Sequence, residues 1–144
     1  MPKISLVLCV IALPLLLASG ENAQEDSVRE AKETVVKFFE AFNAEDNEAL
    51  QGYMTYPHIF LTRNGQVRVL EERWEMNFAG LREREGWRKS TIDSMEASMV
   101  FEDKVHLNLV FSRVNQDGEV YRTVPGQWIV TKKDGRWGVQ LRSY

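Results

Sequence analysis

The hydrophobic period of this chain changes partway along it, and that change limits the fold more than any other feature. Val28, Ala31, Val35, Phe38, Phe39 and Phe42 recur at helical spacing, the stripe of a helix that buries one face. Met95, Ala97, Met99 and Phe101 alternate instead, as do Val105, Leu107, Leu109 and Phe111, the pattern of strands with one buried face. Helical signals come first and a run of strands comes last. The expected class is therefore α+β, with segregated helices covering one face of a curved sheet.

Local signals place the elements. Ser27 and Glu30 have capping-box spacing and set the expected start of a first helix that runs to Asn43. Asp46 is expected to cap a second short helix through Gly52, with Leu50 and Tyr53 turned inward. From His58 the period is two as far as Arg63, and Val67 and Val69 continue it beyond Asn64-Gly65. Asn-Gly in that setting predicts a tight hairpin with positive φ at both turn positions. A third helix is expected over 71–85, with Trp74, Phe78 and Leu81 on one face and Gly86 as its stop. Residues 87–144 read as four strands, turning at Glu102-Asp103-Lys104, at Asp117-Gly118 and at Asp134-Gly135. Pro125-Gly126 marks its strand as bulged, bent or on an edge.

A chain of 144 residues, 44% hydrophobic and 27% charged, has enough apolar surface for one globular domain. Its beginning carries an address. Lys3, the apolar run Ile4 to Leu17 and the small residues Ala18-Ser19-Gly20 form a secretory leader over 1–20, followed by a domain over 21–144. Pro14 interrupts the run, which is shorter than the roughly 20 residues that span a bilayer, so no permanent membrane anchor is expected. Cys9 is the only cysteine, which excludes an internal disulfide and a thiolate zinc site. Loss of the leader takes Lys3 with it, so the net charge of -3 becomes -4 over 124 residues. Such a cysteine-free domain suits an oxidising periplasmic or secreted location. With no basic block, nucleic acid is not an expected partner.

Tyr56-Pro57-His58-Ile59, Gly86-Trp87 and Asp134-Gly135-Arg136-Trp137-Gly138-Val139-Gln140, set in a helix-helix-hairpin-helix-meander order, resemble features of the nuclear transport factor 2-like superfamily. That superfamily includes SnoaL-like cyclases and ketosteroid isomerases, and the resemblance covers nearly all of residues 21–144. It implies a cone-shaped cystatin-like roll, in which three helices pack on a curved mixed or antiparallel sheet of about six strands around a pocket. It also implies homodimerisation through the outer sheet surface. Activity is not implied, because the superfamily hosts isomerases, cyclases, hydrolases and binding modules.

The steroid isomerases that the chain resembles carry an Asp base before a Pro, where this chain has Tyr56 before Pro57. A phenol is mostly protonated at neutral pH and makes a poor base. His58, two residues on, is the candidate acid or base, since imidazole titrates near working pH; it shares a strand face with Phe60 and Thr62. Ligand contact is expected from Tyr53, Tyr56, His58, Trp74, Arg113, Trp128, Gln140 and Arg142: the aromatic residues as pocket wall, the strand arginines as forks for a carboxylate or polar headgroup. His106 is expected on the polar, solvated side of its strand. Two histidines without suitably spaced carboxylates make no metal site, and no phosphate loop, serine elbow or cysteine nucleophile is present. No cofactor is expected.

Three readings follow. The chain is an exported domain binding a small, largely apolar molecule, an isomerase, cyclase or hydratase using His58 with Tyr56 or Arg142, or an interaction module using its sheet surface. An open cavity around His58 and Arg142 favours the first two; a cavity filled by Trp and Phe favours the third.

Overall fold

The computed structural model describes residues 15–144, with side chains from Gly20 onward. Residues 1–14, and with them most of the expected leader, lie outside the described residues. Helix α1 (Leu15–Asn43) and helix α2 (Asn47–Gly52) lead into strands β1 (Met54–Leu61) and β2 (Val67–Leu70). Helix α3 (Phe78–Glu85) follows, and then β3 (Trp87–Phe101), β4 (Lys104–Asn115), β5 (Val120–Lys133) and β6 (Arg136–Ser143). No helix of the described residues is long and apolar enough to cross a membrane.

The six strands form one curved, unclosed sheet in the order β2-β1-β6-β5-β4-β3. Strand β1 runs parallel to β6, with Phe60 beside Arg142, while every other pair is antiparallel. The sheet is thus mixed, and its first and last long segments meet in the middle. Close approach there depends on Gly138, where a Cβ would overlap Thr55 Oγ1 and come within 2.9 Å of the Met54 carbonyl carbon.

Helix α1 packs across the concave face. Ala31, Val35, Phe38, Phe39 and Phe42 are buried, and the rings meet sheet aromatics: Phe39 stacks on Trp128 at 5.5 Å and Phe42 meets Trp87 edge-on at 5.3 Å. Each fully buried large side chain contributes about 1.5–3 kcal/mol. The helix does not start at Ser27, contrary to the capping-box expectation. Ser27 Oγ instead bonds the Ala23 carbonyl one turn back (3.0 Å) and the Glu102 carbonyl (2.9 Å), and Glu30 accepts from Trp137 Nε1 at 2.7 Å. Both members of the expected box serve tertiary contacts.

Asp46 caps α2, accepting from Ala49 N at 2.9 Å, and Leu50 is buried. The third helix is shorter than its periodicity predicts, because residues 71–77 are captured before they can coil. Three amides four residues apart, Asn43, Asn47 and Gln51, each take both the N–H and the C=O of one distant residue. Asn43 holds Ser90 at 2.8 Å in both directions, Asn47 holds Met76 at 2.8 and 3.1 Å, and Gln51 holds Trp74. Asn77 then caps α3 through Gly80 N, and Gly86 ends it in the left-handed region.

The hairpin turn also differs from expectation. Only Gly65 has positive φ (78°), and Thr62 accepts from Gly65 N and donates its own N–H to Gln66 O, both at 2.9 Å. Asn64 is therefore spared the strained region, and the glycine alone takes it in a longer loop. Pro125 lies on β5 opposite Val110 of β4, beyond the point where β6 pairing ends at Gln127. Strand β5 has one paired neighbour there, so Pro125 sits at a local edge, one of the three settings expected for it.

Candidate functional site

Between α1, the 74–77 segment and the concave face of β1, β4, β5 and β6 lies a cavity of about 340 Å³. Its walls are mainly aromatic, including Phe38, Phe60, Trp74, Phe111 and Trp128, and Tyr144 stands at its end against Phe111, with ring centroids 6.0 Å apart. A larger, shallower groove of about 920 Å³ follows the exposed flank of α1. There the polar side chains largely satisfy one another, as in the Arg29 pairs with Asp26 and Glu33, so the cavity inside the cone is the site with chemistry to explain.

At its base sits Arg142, only 5% exposed. The strand register puts it beside Phe60 on one neighbour and Trp128 on the other. Its guanidinium carbon lies 4.1 Å from the Phe60 ring centre, 5.1 Å from Phe38 and 5.4 Å from Trp128. Burial, ahead of any neighbouring charge, lowers its pKa. No carboxylate among the described residues forms an ion pair with it.

His58 stands behind Arg142 and is fully buried. Arg142 Nε donates to His58 Nε2 at 3.0 Å, and His58 Nδ1 lies 2.9 Å from the Val139 carbonyl. Because arginine can only donate, Nε2 must be the acceptor and Nδ1 must carry the proton. Burial first, and the Arg142 charge second, push the imidazole pKa down to about 3. The acid–base role expected for His58 does not fit this geometry: its lone pair is occupied, it is not on the cavity lining, and it stays neutral at any ordinary pH. It accepts the Nε bond of Arg142 and so orients that side chain.

Four of the expected ligand contacts, Trp74, Arg113, Trp128 and Arg142, do share the lining. Arg113 is compensated by Glu85, which also takes the Tyr121 hydroxyl at 3.1 Å and lies 3.5 Å from Arg122. Burial alone would raise the Glu85 pKa, but the hydrogen bond and charge of Arg113, helped by Tyr121 and Arg122, outweigh it and hold the carboxyl below its usual value.

The other expected contacts lie elsewhere. Tyr53 follows α2 and packs against the core, giving its carbonyl to Val139 N at 2.8 Å. Tyr56 turns its hydroxyl to Gln51 Oε1, and burial raises its pKa. Gln140 is the extra residue of a bulge, since Ile129 pairs with Leu141 and Val130 with Val139, and it borders a shallow depression near Lys104 outside the cone.

His106 corrects another expectation. It is half-buried on the outer sheet face, and its Nε2 is buried without a hydrogen-bond partner. One cross-strand row there runs Val69, Ile59, Leu141, Ile129, His106, Met99 through all six strands. Burial, then Lys104, lowers the pKa of His106.

Arg68 was missed from sequence, although it lines the mouth, 6.0 Å from the Phe60 ring centre. The hairpin register carries the signal, since Arg68 pairs directly with Phe60. Among the described residues no group of three or more His, Cys, Asp or Glu side chains gathers as a metal site would require.

No protein-family model matches the sequence, and no curated protein matches it. Solved structures do. An NTF2-like protein with a cystatin-like fold from Novosphingobium aromaticivorans aligns with a TM-score of 0.69 at 11% identity, covering 92% of this chain and 89% of that one. A proposed dehydratase of the NTF2-like family from Streptomyces avermitilis gives 0.61 at 10% identity, covering 83% and 95%. A proposed polyketide cyclase from Xanthomonas campestris pv. campestris gives 0.51 at 18% identity, covering 81% and 90%. At such identities the likeness concerns architecture, and it agrees with the strand order and concave cavity described above: this chain has the NTF2-like, cystatin-like fold.

Proposed function

We propose that this domain binds a small, largely apolar molecule inside its cone. The observation that carries the reading is the cavity itself, about 340 Å³ of mostly aromatic wall closing on one buried, hydrogen-bonded polar side chain, Arg142. Apolar pockets with a few convergent polar groups are the usual form of small-molecule sites. The neighbours described as a proposed dehydratase and a proposed polyketide cyclase keep an enzymatic role of isomerase, cyclase or hydratase type as the alternative. The occupied lone pair of His58 favours binding over catalysis by that residue. Native mass spectrometry of protein purified from its host, with thermal-shift screening against lipids, steroids and polyketides, tests the reading. A co-purified or stabilising molecule is expected, and its absence throughout would overturn it.

A second reading concerns assembly. The apolar row from Val69 to Met99, with Val69 and Met99 both largely exposed, supports homodimerisation through the outer sheet face. Ile129→Asp is expected to convert a dimer to a monomer in light scattering, and a wild-type monomer at micromolar concentration would refute it. Export follows the same logic: the leader-like sequence of residues 1–20 supports a periplasmic or secreted location. Mass spectrometry of the exported protein should find an N-terminus near Glu21.

A further inference from the structure

Resting on the pocket reading above, we infer that the molecule taken by the cone carries an anionic head, a carboxylate on an aromatic or alicyclic body, which the Arg142 guanidinium holds at the base of the cavity. The inference starts from an imbalance. Arg142 is 5% exposed and lines the cavity, yet its one hydrogen bond within the described residues uses Nε, toward His58. Both Nη groups are left without a protein acceptor, and the charge is left without a carboxylate.

Magnitudes show how far the surrounding rings go toward resolving this. Taking an ion out of water costs several kcal/mol. A cation over a ring face recovers about 0.5–2 kcal/mol, and three rings lie within reach of Arg142, Phe60 at 4.1 Å, Phe38 at 5.1 Å and Trp128 at 5.4 Å. Rings also accept no strong hydrogen bonds, so the two Nη groups, on a residue that lines the cavity, stay available to a molecule inside it. The aromatic cage therefore offsets part of the charge and leaves the Nη donors open.

The rest of the lining has the same sign. Arg68 and Arg84 stand at the mouth against one glutamate, Glu75, in a chain whose net charge is -3. Arg113, also on the lining, is already neutralised by Glu85. Two further N–H donors on lining residues, Arg113 Nε and Trp128 Nε1, are buried without acceptors. Donors outnumber acceptors, and the cations lie where a ligand would pass.

His58 completes the arrangement. By engaging Nε it leaves the two Nη groups as the free fork, the planar shape that matches the two oxygens of a carboxylate. Unlike a carboxylate, the neutral imidazole accepts from Nε without cancelling the guanidinium charge, which stays available to a bound anion. Apolar walls then select the body of the ligand and Arg142 selects its head.

Isothermal titration of the intact protein with 2-naphthoate and with its neutral isostere 2-naphthamide tests this. The acid is expected to bind at least tenfold more tightly, and Arg142→Gln, checked for folding by circular dichroism, is expected to abolish the preference. Equal affinity of wild type for acid and amide would overturn the anionic head while leaving an apolar pocket standing. A preference that survives in folded Arg142→Gln would overturn the assignment to Arg142. Binding of neither compound at millimolar concentration would overturn the pocket reading and this inference with it. Should Arg142→Gln fail to fold, the wild-type comparison alone decides, and Arg142→Lys, which keeps the charge but loses the fork, is expected to weaken the preference.

Discussion

Arg142 and His58 form a buried donor–acceptor pair 3.0 Å apart in which only one partner is charged. The unequal charge makes the pair sensitive to acid. His58 titrates near 3 in the folded chain, against an ordinary value of 6.5, so the unfolded chain takes up a proton that the native state refuses. Stability from this group is complete above pH 6.5 and is lost as pH falls toward 3, amounting to a few kcal/mol by pH 4.5. Glu85, whose pKa is depressed from 4.5, adds loss only lower, as pH falls through the carboxylate range. Urea midpoints measured from pH 7.5 to 4 are expected to decline in that order, and a flat profile between 6.5 and 4.5 would refute the assignment.

Removing the acceptor should cost more than replacing it. His58→Ala leaves Arg142 Nε unpaired in a site that water does not reach, together with a void, and is expected to lose about 2–4 kcal/mol. His58→Gln, which can accept from Arg142 and donate to Val139, is expected to lose less than half of that and to flatten the pH profile between 6.5 and 4.5. Equilibrium denaturation of both variants makes the comparison.

The amide of Gln51 holds the backbone of Trp74 on one side and accepts from Tyr56 on the other. Gln51→Ala is expected to cost about 1–3 kcal/mol. It should also accelerate amide hydrogen exchange at Trp74 and Met76 while leaving the centre of β4 unchanged. Uniform acceleration throughout the sheet would argue against a local tether.

Gly138 is where β6 passes closest to β1. An alanine there would press its methyl on Thr55 Oγ1 and the Met54 carbonyl, and is expected to destabilise by about 1–3 kcal/mol. Gly135→Ala is the control: a Cβ at that turn meets nothing within 4 Å, but its φ of 75° adds strain, so its cost should be smaller and independent of β1. Thermal melts of the two variants separate crowding from backbone strain.

The alternating and helical periods carried the architecture because they record which face of each element is buried, and Leu107, Leu109, Phe38 and Phe39 all lie where that logic places them. Alternation also put His58 and Phe60 on one face. It could not show what they would face, since the neighbour of β1 is the parallel strand β6 and pairing between distant strands leaves no local mark in either. Gln140 was misplaced for the same reason: one bulged residue shifts the side-chain phase, and nothing in Val139-Gln140-Leu141 announces it. The overlong third helix failed differently. Trp74, Phe78 and Leu81 do have helical spacing, but Asn47 and Gln51 on another element satisfy the backbone at Trp74 and Met76 more directly than a further helical turn would. The charge of Arg142 was legible, while its lack of an ion pair among the described residues was not.

The parallel contact of β1 with β6 has a consequence for timing. His58 and Arg142 are 84 residues apart, and closing a loop of that length has an entropic cost that local turns never face. The hairpins of β3 to β6 can zip from neighbour to neighbour, but the base of the cavity exists only once the last strand of the meander has found the first hairpin. An intact cavity in this chain is therefore also a sign that its longest-range pairing has been made.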